Sequence, residues 1–259
     1  MKEKIRNFAM SMGLAHFGVC EPEPGTQALV FLFPYYVNEP TGTISLYARG
    51  IDYHLVAKKL LLEICSFLKT ETGNDFSNNI YCDISPFNDK EIAFKAGLGF
   101  YGKNTLLINP SLGSYFFIGY ILTFGLTLEN DSPLNLTCKG CNACINSCPG
   151  NALENGNLNI LRCASNISQK KGELSIEEQK ILFESGFVWG CDCCQQVCPH
   201  NRNLGNTSLP EFLNNRLSKL SPEELFSISE KQFREKYKAR AFTWRGKNTL
   251  LRNLNLFSK

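Results

Sequence analysis

Apolar side chains change their spacing several times along the first half of this chain, and each change marks an element. Residues 3–12 read as a short opening helix. Residues 28–33 are apolar at every position, the pattern of a buried strand. Leu60, Ile64 and Leu68 then recur at every fourth position, which places them on one face of an amphipathic helix. Ile80-Tyr81-Cys82 is strand-like. Residues 86–96 predict a further helix, with Pro86 in its first turn where a missing N–H is tolerated. Two runs rich in aromatic and β-branched residues follow, 105–108 and 115–124, separated by a turn through Asn109-Pro110 and Gly113.

Beyond residue 134 the pattern loosens. Residues 135–205 hold most of the cysteines in a Gly- and Asn-rich context, with one helix predicted near 176–184. Residues 206–259 read as short helices, entered at Ser221-Pro222-Glu223-Glu224 and again near Ser229, both good N-caps. The expected fold is therefore α+β in three regions: a mixed α/β domain (1–134), a cysteine module (135–205) and a short helical basic tail (206–259).

The 259 residues are 43% hydrophobic, ample for a buried core. Met1-Lys2-Glu3-Lys4-Ile5-Arg6 lacks the apolar stretch of a secretory signal, and no run approaches the ~18 residues of a membrane span. A cytoplasmic protein with no membrane association is expected. In that reducing setting, cysteines point to metal rather than to disulfides.

Their spacing says which metal. Cys138, Cys141, Cys144 and Cys148 form C-x2-C-x2-C-x3-C followed by Pro149. In such a run three thiolates grip one iron–sulfur cubane and the fourth reaches a second. Cys163, Cys191, Cys194 and Cys198, the last followed by Pro199, complete the set. Cys138, Cys141, Cys144 and Cys198 are assigned to one [4Fe–4S] cluster, and Cys148, Cys163, Cys191 and Cys194 to the other. Structural zinc or disulfides would leave both Cys-Pro endings unexplained. Cys20, Cys65, Cys82 and Cys193 are expected to be free, with Cys193 a bystander between two ligands.

Charge adds a second feature. The chain carries only +3 overall, yet residues 231–259 hold nine Lys or Arg against one acid, Glu235. Interleaved Phe233, Tyr237, Phe242 and Trp244 would add stacking surface, so a nucleic-acid contact is one reading. A solvated helix face with its aromatics packed inward is the other. Gly97-Leu98-Gly99-Phe100-Tyr101-Gly102 matches a dinucleotide fingerprint, but a helix precedes it and a strand follows, the reverse of what phosphate binding needs. The glycines then serve either a tight turn or close backbone approach to a ligand. Asp83 stands at a strand-to-helix junction: an N-cap is the reading chemistry alone favours, and an acid of raised pKa among apolar groups is the alternative. His16, His54 and His200 are scattered and read as surface or packing residues.

Taken together these segments resemble the epoxyqueuosine reductases of tRNA queuosine synthesis. The resemblance is carried by Tyr47-Ala48-Arg49-Gly50-Ile51-Asp52-Tyr53-His54, by Asp83, by the run from Ala96 through Lys103-Asn104-Thr105, and by Gly113-Ser114-Tyr115. It continues through the cysteine runs, Arg162-Cys163, Gly190-Cys191-Asp192, Arg245-Gly246-Lys247 and Leu250-Leu251-Arg252-Asn253, covering about residues 12–254.

The resemblance implies cobalamin in the N-terminal domain beside a bacterial ferredoxin-like module with two [4Fe–4S] clusters. It assigns Asp83 the part of proton donor and sets Ala48, Leu107, Ile118, Ser165 and Asp192 around the corrinoid, with the glycine loop against the macrocycle. It further implies removal of the epoxide oxygen of epoxyqueuosine at the tRNA wobble position. Arg49, Lys171 and the basic tail would hold the anticodon arm, a reduced ferredoxin or flavodoxin would supply electrons, and the enzyme would be a monomer. Longer members carry an extra segment where residues 21–27 join the opening helix to the first strand, and helical repeats after the position of Asn253. A corrinoid reductive dehalogenase-like reductase of small molecules, or an electron carrier reactivating a corrinoid protein, are the alternatives.

Overall fold

Residues 26–34 are apolar at nearly every position because the strand they form is covered on both sides. In the computed structural model, which describes residues 1–154 and 156–257, β1 (His16–Glu23) and β2 (Thr26–Pro34) form a hairpin. With β3 (Ile80–Tyr81) and β6 (Phe116–Phe124) they make an antiparallel sheet of order β1-β2-β6-β3. Successive side chains of a strand face opposite ways. Leu29, Phe31 and Phe33 thus meet helices α1 (Lys2–Ser11) and α2 (Tyr53–Thr72), while Ala28, Val30 and Leu32 meet α3 (Asp89–Lys95). Leu60, Ile64 and Leu68 of α2 are buried, as their spacing requires.

Between α3 and β6 a small hairpin joins β4 (Phe100–Tyr101) to β5 (Leu107–Ile108). It explains the glycine loop. A Cβ at Gly99 would stand 2.7 Å from the Ile108 carbonyl oxygen, and one at Gly102 would strike the Asn104 side chain. Gly97, at φ +70, faces the Ser132 carbonyl at 2.6 Å. These glycines yield to the chain's own backbone and side chains, which accounts for them as a tight turn.

The cysteine module contributes the short helices α4 (Ala143–Asn146), α5 (Ala164–Ser168) and α7 (Cys193–Gln196), with α6 (Ile176–Ser185) between the last two. A capping box from Ser175 and Glu178 starts α6, and Gly186 at φ 74 ends it. The module is stitched to the sheet by buried amides: the Ser114 N–H donates to Asn201 Oδ1 at 2.8 Å, and Asn201 Nδ2 donates to Ser114 Oγ and the Gln195 carbonyl. Gly113 is required there, since any Cβ would collide with Asn201.

The C-terminal helices α8 (Pro210–Leu213), α9 (Pro222–Ser227), α10 (Glu230–Lys236) and α11 (Lys247–Asn255) do not stand off as a tail. Phe233, Tyr237, Phe242, Leu250 and Leu254 share one apolar cluster with Ile44, Ala48, Val188 and Trp189. Asn253 ties α11 to the cysteine module through the Ser168 and Val188 carbonyls. Among the described residues no helix is long and apolar enough to cross a membrane.

Candidate functional site

The eight cysteines singled out by spacing gather into two cavities. Cys138, Cys141, Cys144 and Cys198 line the first, beside Gly102, Asn104 and His200. Cys148, Cys163, Cys191 and Cys194 line the second, of about 420 Å³, together with Cys193. Among the described residues no three His, Cys, Asp or Glu side chains converge tightly enough to share one metal ion. A cubane takes one thiolate per iron and needs no such convergence. The donor chemistry and the partition of four and four therefore fit two cubanes.

The second cavity opens into a cleft. A neighbouring space of about 480 Å³, lined by Tyr53, Cys82, Asp83, Asp89 and Ile118, shares Tyr47, Lys90, Leu106, Phe116 and Phe117 with it. One continuous surface thus runs from Cys148, Cys163, Cys191 and Cys194 to Asp83. Its walls set aromatic and aliphatic side chains such as Tyr47, Leu106, Phe116, Phe117 and Ile118 beside polar ones such as Lys90, Asn104 and Ser114, a mixture suited to a bulky organic ligand with a polar rim. Lys90 donates to the Thr105 carbonyl at 2.9 Å, and burial lowers its pKa. The buried amide nitrogen of Asn104, a residue lining both cysteine cavities, has no partner in the protein. That orphaned donor and the apolar walls fit a macrocycle carrying hydrogen-bond acceptors.

Asp83 sits in the left-handed region at φ 69, which Asp tolerates better than most residues. Its N–H donates to Asp89 Oδ2 at 2.8 Å, and Ser85 Oγ donates to Asp89 Oδ1 at 2.6 Å, so Asp89 pins the loop. This loop also explains the helix boundary: α3 begins at Asp89 with Asn88 as cap, and Pro86 lies outside it. Asp83 is consequently not an N-cap. Its carboxylate accepts from Tyr53 Oη at 2.9 Å and lies 3.5 Å from His54 Nε2. The hydrogen bond from His54 comes first in holding the Asp83 carboxyl below its ordinary range, helped by Tyr53 and opposed by burial. The alternative of an acid with a raised pKa is reversed by these two donors.

The remaining expected residues divide. Ser165 lines the second cavity and Ile118 the cleft. Leu107 is buried in the apolar cluster under β2, and its neighbour Leu106 lines the cleft. Ala48 is buried in a 3-10 turn within the C-terminal cluster. Asp192 is fully buried, held by Ser45 Oγ and by the Leu46 N–H at 2.7 Å, and burial raises its pKa. It fastens the cysteine module to the Tyr47 segment.

Arg49 corrects an expectation. Its side chain is 2% exposed and donates to the Ile44 carbonyl at 2.7 Å, to Glu39 at 2.8 Å and to the Pro40 carbonyl at 3.1 Å, so the guanidinium is turned into the protein rather than presented to a phosphate. Lys171 is exposed. In the basic segment Phe233, Tyr237 and Phe242 are buried, as the inward-packed reading has it; Trp244 alone of the four is exposed, with Arg245 3.6 Å above its ring. Arg240 is spent on the Arg49, Gly50 and Asn215 carbonyls. Sequence reasoning missed Tyr53, His54 and Lys90, although Tyr53 and His54 stand inside a motif it quoted.

Comparison with known proteins accords with this geometry. A model of a 4Fe-4S double cluster binding domain matches residues 137–201, and the epoxyqueuosine reductase QueG model matches residues 19–84. The epoxyqueuosine reductase of Francisella cf. novicida is 32% identical over 250 residues, 89% of this chain and 68% of its own length. The chain belongs to the epoxyqueuosine reductase family. The Lactococcus garvieae epoxyqueuosine reductase is 35% identical over 82% of this chain, which spans only 60% of that relative's length. A crystal structure of an epoxyqueuosine reductase with an epoxyqueuosine-modified tRNA-Tyr stem loop superposes with TM-score 0.84 at 27% identity, over 98% of this chain and 80% of that one. Family membership extends the two-cluster reading to this chain's module and brings cobalamin as the family's cofactor.

Proposed function

We propose that this chain reduces epoxyqueuosine to queuosine at the wobble position of tRNA, removing the epoxide oxygen with two electrons and two protons. The observation that carries this reading is the continuous cleft joining the Cys148, Cys163, Cys191 and Cys194 cavity to the Asp83 carboxyl. In it, Cys138, Cys141, Cys144 and Cys198 hold one cubane and Cys148, Cys163, Cys191 and Cys194 the other. Cys141 is exposed, which supports entry of electrons at the first cluster from a reduced ferredoxin or flavodoxin.

Tyr47, Leu106, Phe116, Phe117 and Ile118 would hold a corrinoid by apolar contact, with Asn104 and Lys90 meeting its polar rim. When bound, that group supplies a strongly reducing cobalt centre, a reactivity side chains lack. The chain's own residues do the rest. Asp83 gives a proton to the departing oxygen, which otherwise leaves as a poor alkoxide. Its loop, pinned by Asp89, holds the carboxyl in the lining of the cleft, where Tyr53 and His54 reach it. Lys171 and the exposed Trp244 with Arg245 would meet the anticodon arm, in keeping with the stem-loop substrate of the related enzyme. A monomer working in the cytoplasm fits this chemistry.

The test is anaerobic incubation of the reconstituted protein with cobalamin, a strong reductant and epoxyqueuosine-containing tRNA, followed by nucleoside mass analysis. Loss of one oxygen is expected in the wild type. Asp83→Asn is expected to bind both cofactors and leave the epoxide intact; turnover by that variant would overturn the role given to Asp83.

A further inference from the structure

The cleft holds a charge arrangement that a lone acid does not need. His54 lies between two carboxylates: Nδ1 is 2.9 Å from Asp52 Oδ1, and Nε2 is 3.5 Å from Asp83 Oδ2. Asp52 also caps α2 by accepting the His54 N–H at 3.0 Å, so the helix start fixes the ring. The imidazole stacks on Tyr53 with centroids 4.1 Å apart, and Tyr53 stacks on Phe117 at 4.2 Å and 9°. His54 keeps 42% of its side chain exposed, which leaves it open to exchange with water.

This geometry separates the place where a proton is stored from the place where it is used. Hydrogen bonds donated by the ring to Asp52 first and Asp83 second favour the imidazolium and raise the His54 pKa to about 9, while the contact with Asp83 holds that carboxylate ionised. An Asp83 bound by two donors is a poor proton reservoir at neutral pH. The other charged and titratable groups facing the ring are few: Lys58 on the same helix lines the adjoining opening, and Cys82 beside Asp83 has its thiol pushed up by burial, so it stays neutral.

We propose, resting on the reductase reading above, that His54 is the positioning residue that supplies Asp83 with its proton. The imidazolium Nε2–H bond breaks first and its proton passes to the ionised Asp83 Oδ2. As the carbon–oxygen bond of the epoxide breaks, the Asp83 O–H bond so formed breaks in turn and that proton joins the departing oxygen. A neutral imidazole remains, its Nδ1–H held by Asp52, and water restores the lost proton. The electrons come from the reduced iron–sulfur donor and do not travel this path. Tyr53 donates to Asp83 throughout and moves no proton.

The chain has three histidines, so ring-nitrogen NMR of the cluster-loaded protein resolves them, with His54 assigned by His54→Gln. The expected result is one ring titrating near 9 in the wild type and falling toward 6.5 in Asp83→Asn. In single turnovers of the cobalamin-loaded holoenzyme on the modified stem loop, His54→Gln keeps an amide donor beside Asp83. It is expected to slow the reaction at least ~10-fold, less than the full ~10²–10⁴ of general acid catalysis because Asp83 itself stays in place. The wild-type rate should fall as pH rises through about 9, and the variant should lose that limb. A wild-type His54 titrating at its ordinary value, or a His54→Gln enzyme with unchanged rate and pH profile, overturns the relay alone. A wild-type holoenzyme that leaves the epoxide intact overturns the reductase reading and the relay with it.

Discussion

Replacing Arg49 by methionine separates a structural clamp from a tRNA contact. The substitution keeps an unbranched apolar stem and removes a guanidinium that is 2% exposed. Three hydrogen bonds go with it, to the Ile44 carbonyl, the Pro40 carbonyl and Glu39. Glu39 keeps its second partner, Arg216 at 2.7 Å, so the half-buried carboxylate is not stranded. Breaking a buried pair outright costs about 3–5 kcal/mol, and a carbonyl left unsatisfied costs about 1–3 kcal/mol. With Arg216 still in place and partial access of water, about 3 kcal/mol is the working figure. For a chain of this size each kcal/mol moves Tm by about 2–4 °C, so a fall of roughly 6–12 °C is expected. The assay is thermal unfolding of the anaerobically reconstituted protein beside a titration of the modified stem loop at two salt concentrations. An Arg49→Met variant that melts like the wild type and loses stem-loop affinity in a salt-dependent way would refute the reasoning.

Three further outcomes follow from the same structure. Cys144→Ser should cut bound iron from about eight atoms per chain to about four by removing one cubane, and Cys193→Ser should leave it unchanged; iron analysis under anaerobic conditions reads both. Trp244→Ala should leave Tm unaltered, because the ring is 56% exposed, while weakening the stem loop by about 1–2 kcal/mol, roughly 5- to 30-fold, if the indole stacks on a base. Stability should fall as pH rises from 6.5 through about 9, because the raised pKa of His54 makes its contribution complete below the unfolded value and lost above the folded one. The pair is well exposed, so solvent screening trims a nominal ~3 kcal/mol to about 1 kcal/mol, read from denaturant midpoints across that range.

What the sequence could reveal depended on how local the physics was. The cysteine runs were legible because a cubane dictates spacing within a few residues, and the four-and-four partition follows from that rule alone. Strand β2 and helix α2 were legible because their periodicity is a property of one segment. Strand β1 was not: His16–Glu23 contains two glutamates and Pro22 and has no clean alternation, and its register with β2 makes it a strand. Residues 86–96 misled for the opposite reason, since a helix pattern was present but its first turn was spent holding Asp83 through Asp89.

The site's electrostatics were the least visible part, and Arg49 and His54 show why. Both belong to one eight-residue stretch, and side-chain type gives no hint that one is sealed inside while the other stays wet. The difference arises where the chain returns. Glu39, Ile44 and Arg216 close over Arg49, whereas the loop after β3 brings only the Asp83 carboxylate to His54 and leaves the ring's edge open. An arginine surrounded by acceptors loses its availability to a phosphate. A histidine flanked by two carboxylates gains a proton it would not otherwise hold at neutral pH. The same tertiary contacts that bury Arg49 at the root of the Tyr47 segment hold α2 where its first turn sets His54, expected only as a surface or packing residue, against Asp83.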